Sequence, residues 1–268
     1  SLGHGGAAVL NADDQEHPRM AGAAASAGAQ IVTTSLLGPA DLWATHVAMR
    51  GGQIQFDLQG MGLNATGLVL PMVGEYNLSN LLQALASARW LGAEAQALLA
   101  AIPRVQGAPG RMERVPLGPG RPAVFVDFAH TPEGLQVALE ALASIEPRGQ
   151  LTVVFGCGGD RDRGKRAPMG QVAARLADRV LITSDNPRSE DPVQIAAGIL
   201  AGVQTVRGLD APEYFVELDR RAAIGLALRH AEPEDVILVA GKGHEAQQIF
   251  ADQTVPFDDR QVVMEVGA

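Results

Sequence analysis

Four short segments rich in polar and charged residues each follow a strongly apolar stretch of the sequence. They are residues 127–130 (DFAH), 156–166 (GCGGDRDRGKR), 185–191 (DNPRSED) and 241–245 (GKGHE). Their glycines allow the backbone to turn sharply and to approach a ligand closely. Their cations, carboxylates and amides can bind the charged groups of a small molecule, and backbone N–H groups in such turns favour anions.

The elements that precede these segments explain how they could act together. Apolar runs predict strands at 123–128, 151–156, 178–184 and 235–241, and an edge strand is expected near 203–207. Helices are predicted from Pro132 to about 145, at 168–177, from Pro192 to about 201 and at 219–230. This alternation indicates an α/β fold with a mostly parallel sheet covered on both faces. Because ligands bind beyond the carboxyl ends of such strands, the four segments should form one polar edge.

The first part of the chain has a different sequence pattern, with shorter β-type runs separated by turns. Short β-type runs occur at 7–10, 29–34, 45–58 and 67–74, and Gly51-Gly52 predicts a hairpin turn. A helix is predicted over 76–92, with Leu78, Leu81, Leu82 and Leu85 on one stripe, followed by a short helix at 94–102. The stretch 103–122, rich in Pro, Gly and Arg, is the best linker candidate.

Composition excludes several classes of function. The 268 residues are 47% hydrophobic and carry a net charge of −9, so no overall basic field would attract nucleic acid. Cys157 is the single cysteine, and no apolar run is long enough to span a membrane. We expect a cytoplasmic protein with no membrane partner. The absence of an initiator Met and of a leader suggests a chain entered in mid-domain, the alternative being a trimmed complete protein.

Each polar segment has a less specific interpretation when taken alone. GKGHE resembles the end of a P-loop, but no GxxxxGK[ST] occurs, and a simple glycine-rich turn is about equally plausible. His130 and His244 could be satisfied strand-end histidines. The cations between 161 and 166 could be a solvated face. The coincidence of four such segments on one predicted edge favours a binding site.

The motifs NADD, GEYNLSNLLQAL, GRMERV, VDFAHTPEGL, FGCGGDRDRGKR, DNPRSEDP and GKGHE resemble the Mur ligase family in order and spacing. The resemblance is greatest to the branch that adds the third, diamino residue of the peptidoglycan stem. It implies an N-terminal UDP-binding domain and a GTNGKT-like P-loop, neither of which is in this sequence. Residues 1–109 are then expected to be the late part of the central ATP-binding domain, and residues 110–268 a complete C-terminal Rossmann-like domain.

The resemblance also implies roles for residues at the nucleotide. Asn77 and Asn80 match paired asparagines, the first expected near the adenine, although Asn77 or Ser79 could also serve as a helix N-cap. Arg111 is expected to reach the ATP phosphates, and Asp127 and His130 to lie at the nucleotide, with Lys165 as a further phosphate ligand. Arg111, Asp127 and Lys165 are the residues expected to act in catalysis. Phe128 replaces a tyrosine frequent in the family.

A second set of residues is expected to bind the incoming amino acid. The set consists of Arg161, Asp185, Asn186, Arg188, Gly241 and Glu245. Meso-diaminopimelate ends in a second amino-acid head, whose carboxylate suits an arginine fork and whose ammonium suits carboxylate and carbonyl acceptors. The DNPR motif therefore favours meso-diaminopimelate, while lysine and ornithine stay open.

The resemblance implies an ATP- and Mg²⁺-dependent ligase whose other substrate is UDP-MurNAc-L-Ala-D-Glu. Reaction through an acyl phosphate, catalysis by positioning and charge neutralisation, and a monomeric enzyme are expected. No metal ligand is assigned to this chain, which is expected to be inactive alone. Two rival interpretations are another ligase of the superfamily, such as a folylpolyglutamate or cyanophycin synthetase-like enzyme, and a non-catalytic amino-acid-binding module.

Overall fold

A computed structural model describes residues 5–206, 208 and 211–267. The chain divides into two compact units, residues 1–106 and residues 107–268. Each unit is an α/β structure with its own sheet and its own apolar core. In the described parts of the chain no helix is long and apolar enough to cross a membrane.

The first unit is built on a five-stranded mixed sheet in the order β1-β2-β3-β4-β5. The strands are β1 (Ala7–Asn11), β2 (Gln30–Ser35), β3 (Leu42–Arg50), β4 (Gln53–Gly60) and β5 (Ala65–Leu70). The helices are α1 (His17–Ser26), α2 (Glu75–Trp90) and α3 (Ala95–Ala101), with a 3₁₀ turn at Ile102–Arg104. The predicted hairpin is confirmed, because β3 and β4 pair antiparallel across Gly51 and Gly52, which both have positive φ. The predicted leucine stripe of α2 is buried in the core.

The second unit contains a six-stranded sheet in the order β10-β9-β8-β11-β7-β6. Its strands are β6 (Glu113–Val115), β7 (Ala123–Asp127), β8 (Leu151–Phe155), β9 (Arg179–Ile182), β10 (Glu213–Val216) and β11 (Val236–Ala240). Its helices are α4 (Pro132–Ala143), α5 (Arg166–Leu176), α6 (Pro192–Val203), α7 (Arg220–Arg229) and α8 (Asp259–Gly267). A small hairpin, β12 (Gln247–Ile249) and β13 (Thr254–Pro256), follows β11. All neighbouring strands of the six are parallel except β6 and β7, so the predicted mostly parallel sheet is confirmed.

One prediction about secondary structure was confirmed in part and one was wrong. The boundary between the two units, after residue 106, lies inside the predicted linker 103–122, but the same stretch also contains β6, which pairs with β7 in the second sheet. The edge strand expected near 203–207 is misplaced, because Val203 is the last residue of α6 and is buried on its core face. Arg207 lies outside the described residues. The edge strand is β10, ten residues later, and tertiary packing of α6 overrides the strand preference of the valines.

Side-chain caps fix the points at which the helices begin after the polar segments. Thr131 Oγ1 accepts the Gly134 N–H at 3.1 Å at the start of α4, and Asp191 Oδ1 accepts the Val193 N–H at 2.9 Å at the start of α6. Both helices have proline in the first turn, where its missing N–H costs nothing. These caps stop the helices from extending into the loops that carry the polar residues.

Candidate functional site

The four polar segments of the second unit meet at one edge of its sheet, as predicted. They follow β9, β8, β11 and β7, which are consecutive neighbours in the sheet. Together they enclose a cavity of about 360 Å³. Its lining residues are Phe128, His130, Gly158, Arg161, Asp162, Lys165, Asp185, Asn186, Arg188, Gly241 and Glu245.

The cavity brings together all six residues that were expected to bind an amino acid. It also includes His130 and Lys165 from the group expected at the nucleotide, and the Lys165 ammonium donates to the His130 carbonyl at 2.7 Å. Phe128 and Asp162 line the cavity although no role was predicted for them. Each directly follows a residue with a predicted role, Asp127 and Arg161, and this proximity in sequence could have indicated that they line the same site.

Arg188 has the features of a residue held for binding. Its backbone lies in the left-handed region at φ 53°, a conformation that costs a non-glycine residue about 1 kcal/mol. The Arg188 N–H donates to the Ile249 carbonyl at 3.0 Å, which anchors this conformation. Nη1 donates to the carbonyls of Gly159 at 2.9 Å and Asn186 at 3.4 Å. A Cβ at Gly158 would come within 3.0 Å of Nη1, so glycine there makes room for the guanidinium.

The acidic side of the cavity is formed by Asp185 and Glu245, next to Gly241. Gly241 has φ 112°, and a Cβ there would lie 3.1 Å from Asp185 Oδ2, so only glycine fits. Glu245 Oε2 accepts from Asn186 Nδ2 at 2.9 Å. Burial raises the pKa of Asp185, and the nearby cations Arg220 and Lys242 oppose this rise. The cavity thus presents a guanidinium and two carboxylates to the same ligand.

Two loops that line the cavity are tied to each other. Arg166 makes a bidentate pair with Glu190, at 2.9 and 2.7 Å, and Ser189 Oγ donates to Asp160. The Arg166 guanidinium lowers the pKa of Glu190 to about 2. These bonds join the loop after β8 to the loop after β9. They therefore hold Arg188, in the second loop, at a fixed distance from the residues of the first loop.

Asp127 and Arg111 do not line this cavity. Both oxygens of Asp127 are bound by backbone N–H groups, Oδ2 by Met112 at 2.7 Å and Oδ1 by Ala129 at 2.8 Å. Burial raises the pKa of Asp127, and these N–H groups oppose the rise. Arg111 is exposed, and its guanidinium carbon lies 4.7 Å from the centre of the Phe128 ring, a cation–π contact.

The first unit has its own cavity, of about 490 Å³. Only one of the two asparagines expected at the nucleotide lines it. Asn80 lines this cavity, together with Asn11, Asp13, Asp14, His17, Glu75 and Tyr76. Asn77 does not line it, and its Nδ2 donates to the Val73 carbonyl at 2.7 Å. Within the described residues no group of three or more His, Cys, Asp or Glu side chains could hold a metal ion.

Comparison with known proteins places both units in one protein family. Residues 110–243 match the family model of the Mur ligase glutamate ligase domain, and residues 1–88 match that of the Mur ligase middle domain. A UDP-N-acetylmuramoyl-L-alanyl-D-glutamate–2,6-diaminopimelate ligase of Synechococcus elongatus is 45% identical over 256 residues, which are 96% of this chain and 50% of that protein. The enzyme of the same name from Acidovorax sp. is 43% identical over 94% of this chain and 50% of its own length.

Solved structures give the same result. A structure of a UDP-N-acetylmuramoyl-L-alanyl-D-glutamate–2,6-diaminopimelate ligase superposes with a TM-score of 0.73 at 36% identity, over 97% of this chain and 53% of that one. Folylpolyglutamate synthase from Thermotoga maritima superposes with a TM-score of 0.65 at 17% identity, over 87% of this chain and 50% of that one, a likeness of fold alone. The chain spans about half the length of the curated relatives it matches.

Proposed function

Because this chain belongs to the Mur ligase family, we propose that it supplies the amino-acid-binding part of an ATP-dependent ligase that adds meso-diaminopimelate to UDP-MurNAc-L-Ala-D-Glu. Its first unit would be the late part of the central ATP-binding domain and its second unit the C-terminal domain. A ligase acting on a nucleotide-linked precursor would work in the cytoplasm.

The observation that carries the proposal is the pairing of charges in the cavity of the second unit. Arg188 faces the cavity from one loop, and Asp185 and Glu245 face it from two others. The distal head of meso-diaminopimelate carries one carboxylate and one ammonium. The Arg188 fork would bind the carboxylate, while the two side-chain carboxylates and the Gly241 carbonyl would accept the ammonium. Lysine has no distal carboxylate and would leave the fork without a partner.

The reaction would follow the chemistry of acyl-phosphate ligases. ATP would transfer its γ-phosphoryl group to the D-glutamate carboxylate, and the amine of the bound amino acid would attack the acyl carbon. The tetrahedral intermediate would then release phosphate and lose the amine proton to give the amide. This chain's contribution would be to hold the amine in position and to place the cations of Arg111 and Lys165 near the transferred phosphate. His130 and Asp127 would order the same loop, and Asn80 would contribute to the nucleotide site from the first unit.

Mg²⁺ would accompany the nucleotide and neutralise phosphate charge. Mg²⁺ at a nucleotide is usually held by one or two carboxylates together with the phosphates and water, and we assign no such ligand to the side chains of this chain.

The test is ATP-dependent ligation by the full-length gene product, with meso-diaminopimelate, L-ornithine and L-lysine offered in parallel. Product mass and phosphate release would be measured. Arg188→Ala should lower kcat/KM for meso-diaminopimelate by about tenfold to a hundredfold, the effect of losing one charged hydrogen-bonded partner, and should change lysine use little. Arg175→Ala, which removes an exposed cation from α5, is the matched control and should behave like the wild type.

The outcomes separate the parts of the proposal. Equal losses with both amino acids in Arg188→Ala would refute the fork assignment. A wild-type preference for lysine or ornithine would refute the diaminopimelate specificity and leave a diamino-acid ligase. Absence of ATP-dependent amide formation with all three would refute the proposed function.

A further inference from the structure

Lys242, the second residue of GKGHE, is completely buried at the base of the amino-acid cavity. A fully buried lysine is rare, because taking an ammonium out of water is costly unless it is paired. Of the 21 lysine and arginine residues in this sequence only Lys165 and Lys242 are lysines. Lys165 lines the cavity and Lys242 lies behind it. All other residues counted among these 21 are arginines, and both lysines lie at this cavity, one lining it and one behind it.

The Lys242 ammonium contacts three oxygens, each from a residue expected to bind the ligand. Nζ lies 3.1 Å from Asn186 Oδ1, 3.3 Å from Glu245 Oε2 and 3.6 Å from Asp185 Oδ1. Asp185 Oδ1 is itself buried and has no hydrogen-bond partner, and Lys242 and Arg220 are the cations that offset its charge. One ammonium therefore joins the loop after β9 to the loop after β11.

These contacts fix the orientation of the Asn186 amide. Asn186 Oδ1 accepts from both Lys242 Nζ and the Ile249 N–H, the latter at 3.0 Å. With the oxygen turned inward, Nδ2 points to Glu245 and donates to Oε2 at 2.9 Å. Oε2 then has two internal donors, from Asn186 and Lys242, and Oε1 is left for a ligand. A flipped Asn186 amide would direct Nδ2 at the Lys242 ammonium and lose all of these bonds.

The charges around Lys242 also match those of the ligand. Arg220 is paired with Asp259 in a buried ion pair, so its charge is already balanced. The remaining groups, Asp185, Glu245 and Lys242, sum to one negative charge, which matches one ligand ammonium. Without Lys242 the Asp185 and Glu245 carboxylates would lie close together with one compensating cation fewer, which is unfavourable in a buried environment.

We propose that Lys242 is a positioning residue whose compact ammonium orients Asn186 and Glu245 as the acceptor for the distal ammonium of the amino-acid substrate. This inference rests on the proposed function and assigns Lys242 no contact with the substrate. Lysine fits this place because its compact ammonium donates to Asn186 Oδ1 and Glu245 Oε2 while its charge lies 3.6 Å from Asp185 Oδ1. The planar guanidinium of arginine is larger and cannot meet that arrangement.

The test compares Lys242→Met, Lys242→Arg and the control Arg175→Met in the full-length gene product. Steady-state KM and kcat would be measured separately for meso-diaminopimelate and for ATP, with thermal unfolding of each variant. Lys242→Met should raise KM for meso-diaminopimelate by about tenfold to a hundredfold and leave KM for ATP within twofold. Lys242→Arg should not restore the wild-type value although it keeps the charge. Arg175→Met should match the wild type.

Every outcome decides the inference. An unchanged KM for meso-diaminopimelate in Lys242→Met would overturn it while leaving the proposed function intact. Full activity of Lys242→Arg would overturn the requirement for a compact ammonium. A parallel loss of ATP use and of cooperative unfolding would make Lys242 a general structural residue and overturn its positioning role. A wild-type enzyme that uses no diamino acid would overturn both the inference and the proposed function.

Discussion

The buried ion pair between Arg220 and Asp259 offers the most direct test of how the cavity is supported. Both side chains are completely buried, and two hydrogen bonds of 2.7 Å join them. Arg220 also donates to the carbonyls of Ala240 at 2.9 Å and Ser184 at 3.5 Å. These carbonyls directly precede Gly241 and Asp185, so the same guanidinium holds the ends of the two strands that carry the acidic side of the cavity.

Arg220→Met should therefore destabilise the second unit strongly. Methionine fills a similar volume but leaves the Asp259 carboxylate buried without a partner, which typically costs about 3–5 kcal/mol. With a urea m-value of about 2 kcal/mol/M, the unfolding midpoint should fall by roughly 1.5–2.5 M. The double variant Arg220→Met/Asp259→Leu removes both charges and should recover about 1–3 kcal/mol of this loss, because the two carbonyl contacts, worth about 1 kcal/mol each, stay broken.

The single cysteine provides an assay that reports on the second unit alone. Cys157 is buried in that unit, so a pulse of thiol reagent at each urea concentration labels only unfolded molecules. Asp259→Asn keeps the shape of the carboxylate but leaves the Arg220 guanidinium buried without a counter-ion, so it should also lower the midpoint. A midpoint shift below about 0.5 M in Arg220→Met, or a double variant less stable than the single one, would refute the reasoning about the unpaired carboxylate.

Three other predictions follow from single contacts. In the native protein iodoacetamide should alkylate Cys157 very slowly at pH 8, because burial raises its thiol pKa to about 12, and mass spectrometry should show rapid alkylation only in urea. Arg166 lowers the pKa of Glu190 from 4.5 to about 2, so the stabilisation from this carboxylate is complete above pH 4.5 and is lost as the pH falls through 2. Acid titrations should accordingly show Glu190→Gln less stable than the wild type at pH 7 and equally stable below pH 2. Gly159→Ala should lower the thermal midpoint by several degrees, because its Cβ would lie 1.9 Å from the Pro187 carbonyl; an unchanged midpoint would contradict that crowding.

Much of the second unit could be predicted from local sequence. Continuous apolar runs predicted β7, β8, β9 and β11 within one or two residues, because buried parallel strands must be apolar on both faces. The small hairpin β12–β13, helix α8 and strand β6 were not predicted. They are short or weakly patterned, and their formation depends on pairing with segments distant in sequence.

The sequence indicated which residues line the candidate site, but not how the structure holds them in place. The rule that parallel strands present their carboxyl ends at one edge grouped the four polar segments, and the resemblance to the Mur ligases selected six residues within them, which line one cavity of the second unit. The same reasoning gave no role to Lys242, which is buried and contacts oxygens of three residues that line the cavity. The presence of only two lysines among 21 basic residues was a signal already available in the sequence.

The sequence by itself determined the α/β class, the four apolar strands of the second unit with the helices between them, and the chemical groups that follow each of these strands. These properties depend on local periodicity and on residue type. Only the tertiary structure decided that β11, the last strand of the sheet along the chain, lies between β8 and β7, which places GKGHE beside both DFAH and GCGGDRD. It also decided the left-handed conformation of Arg188 and the burial of Lys242. Strand order and burial arise from long-range packing, in which residues far apart along the chain exclude water together, and no local pattern specifies that choice.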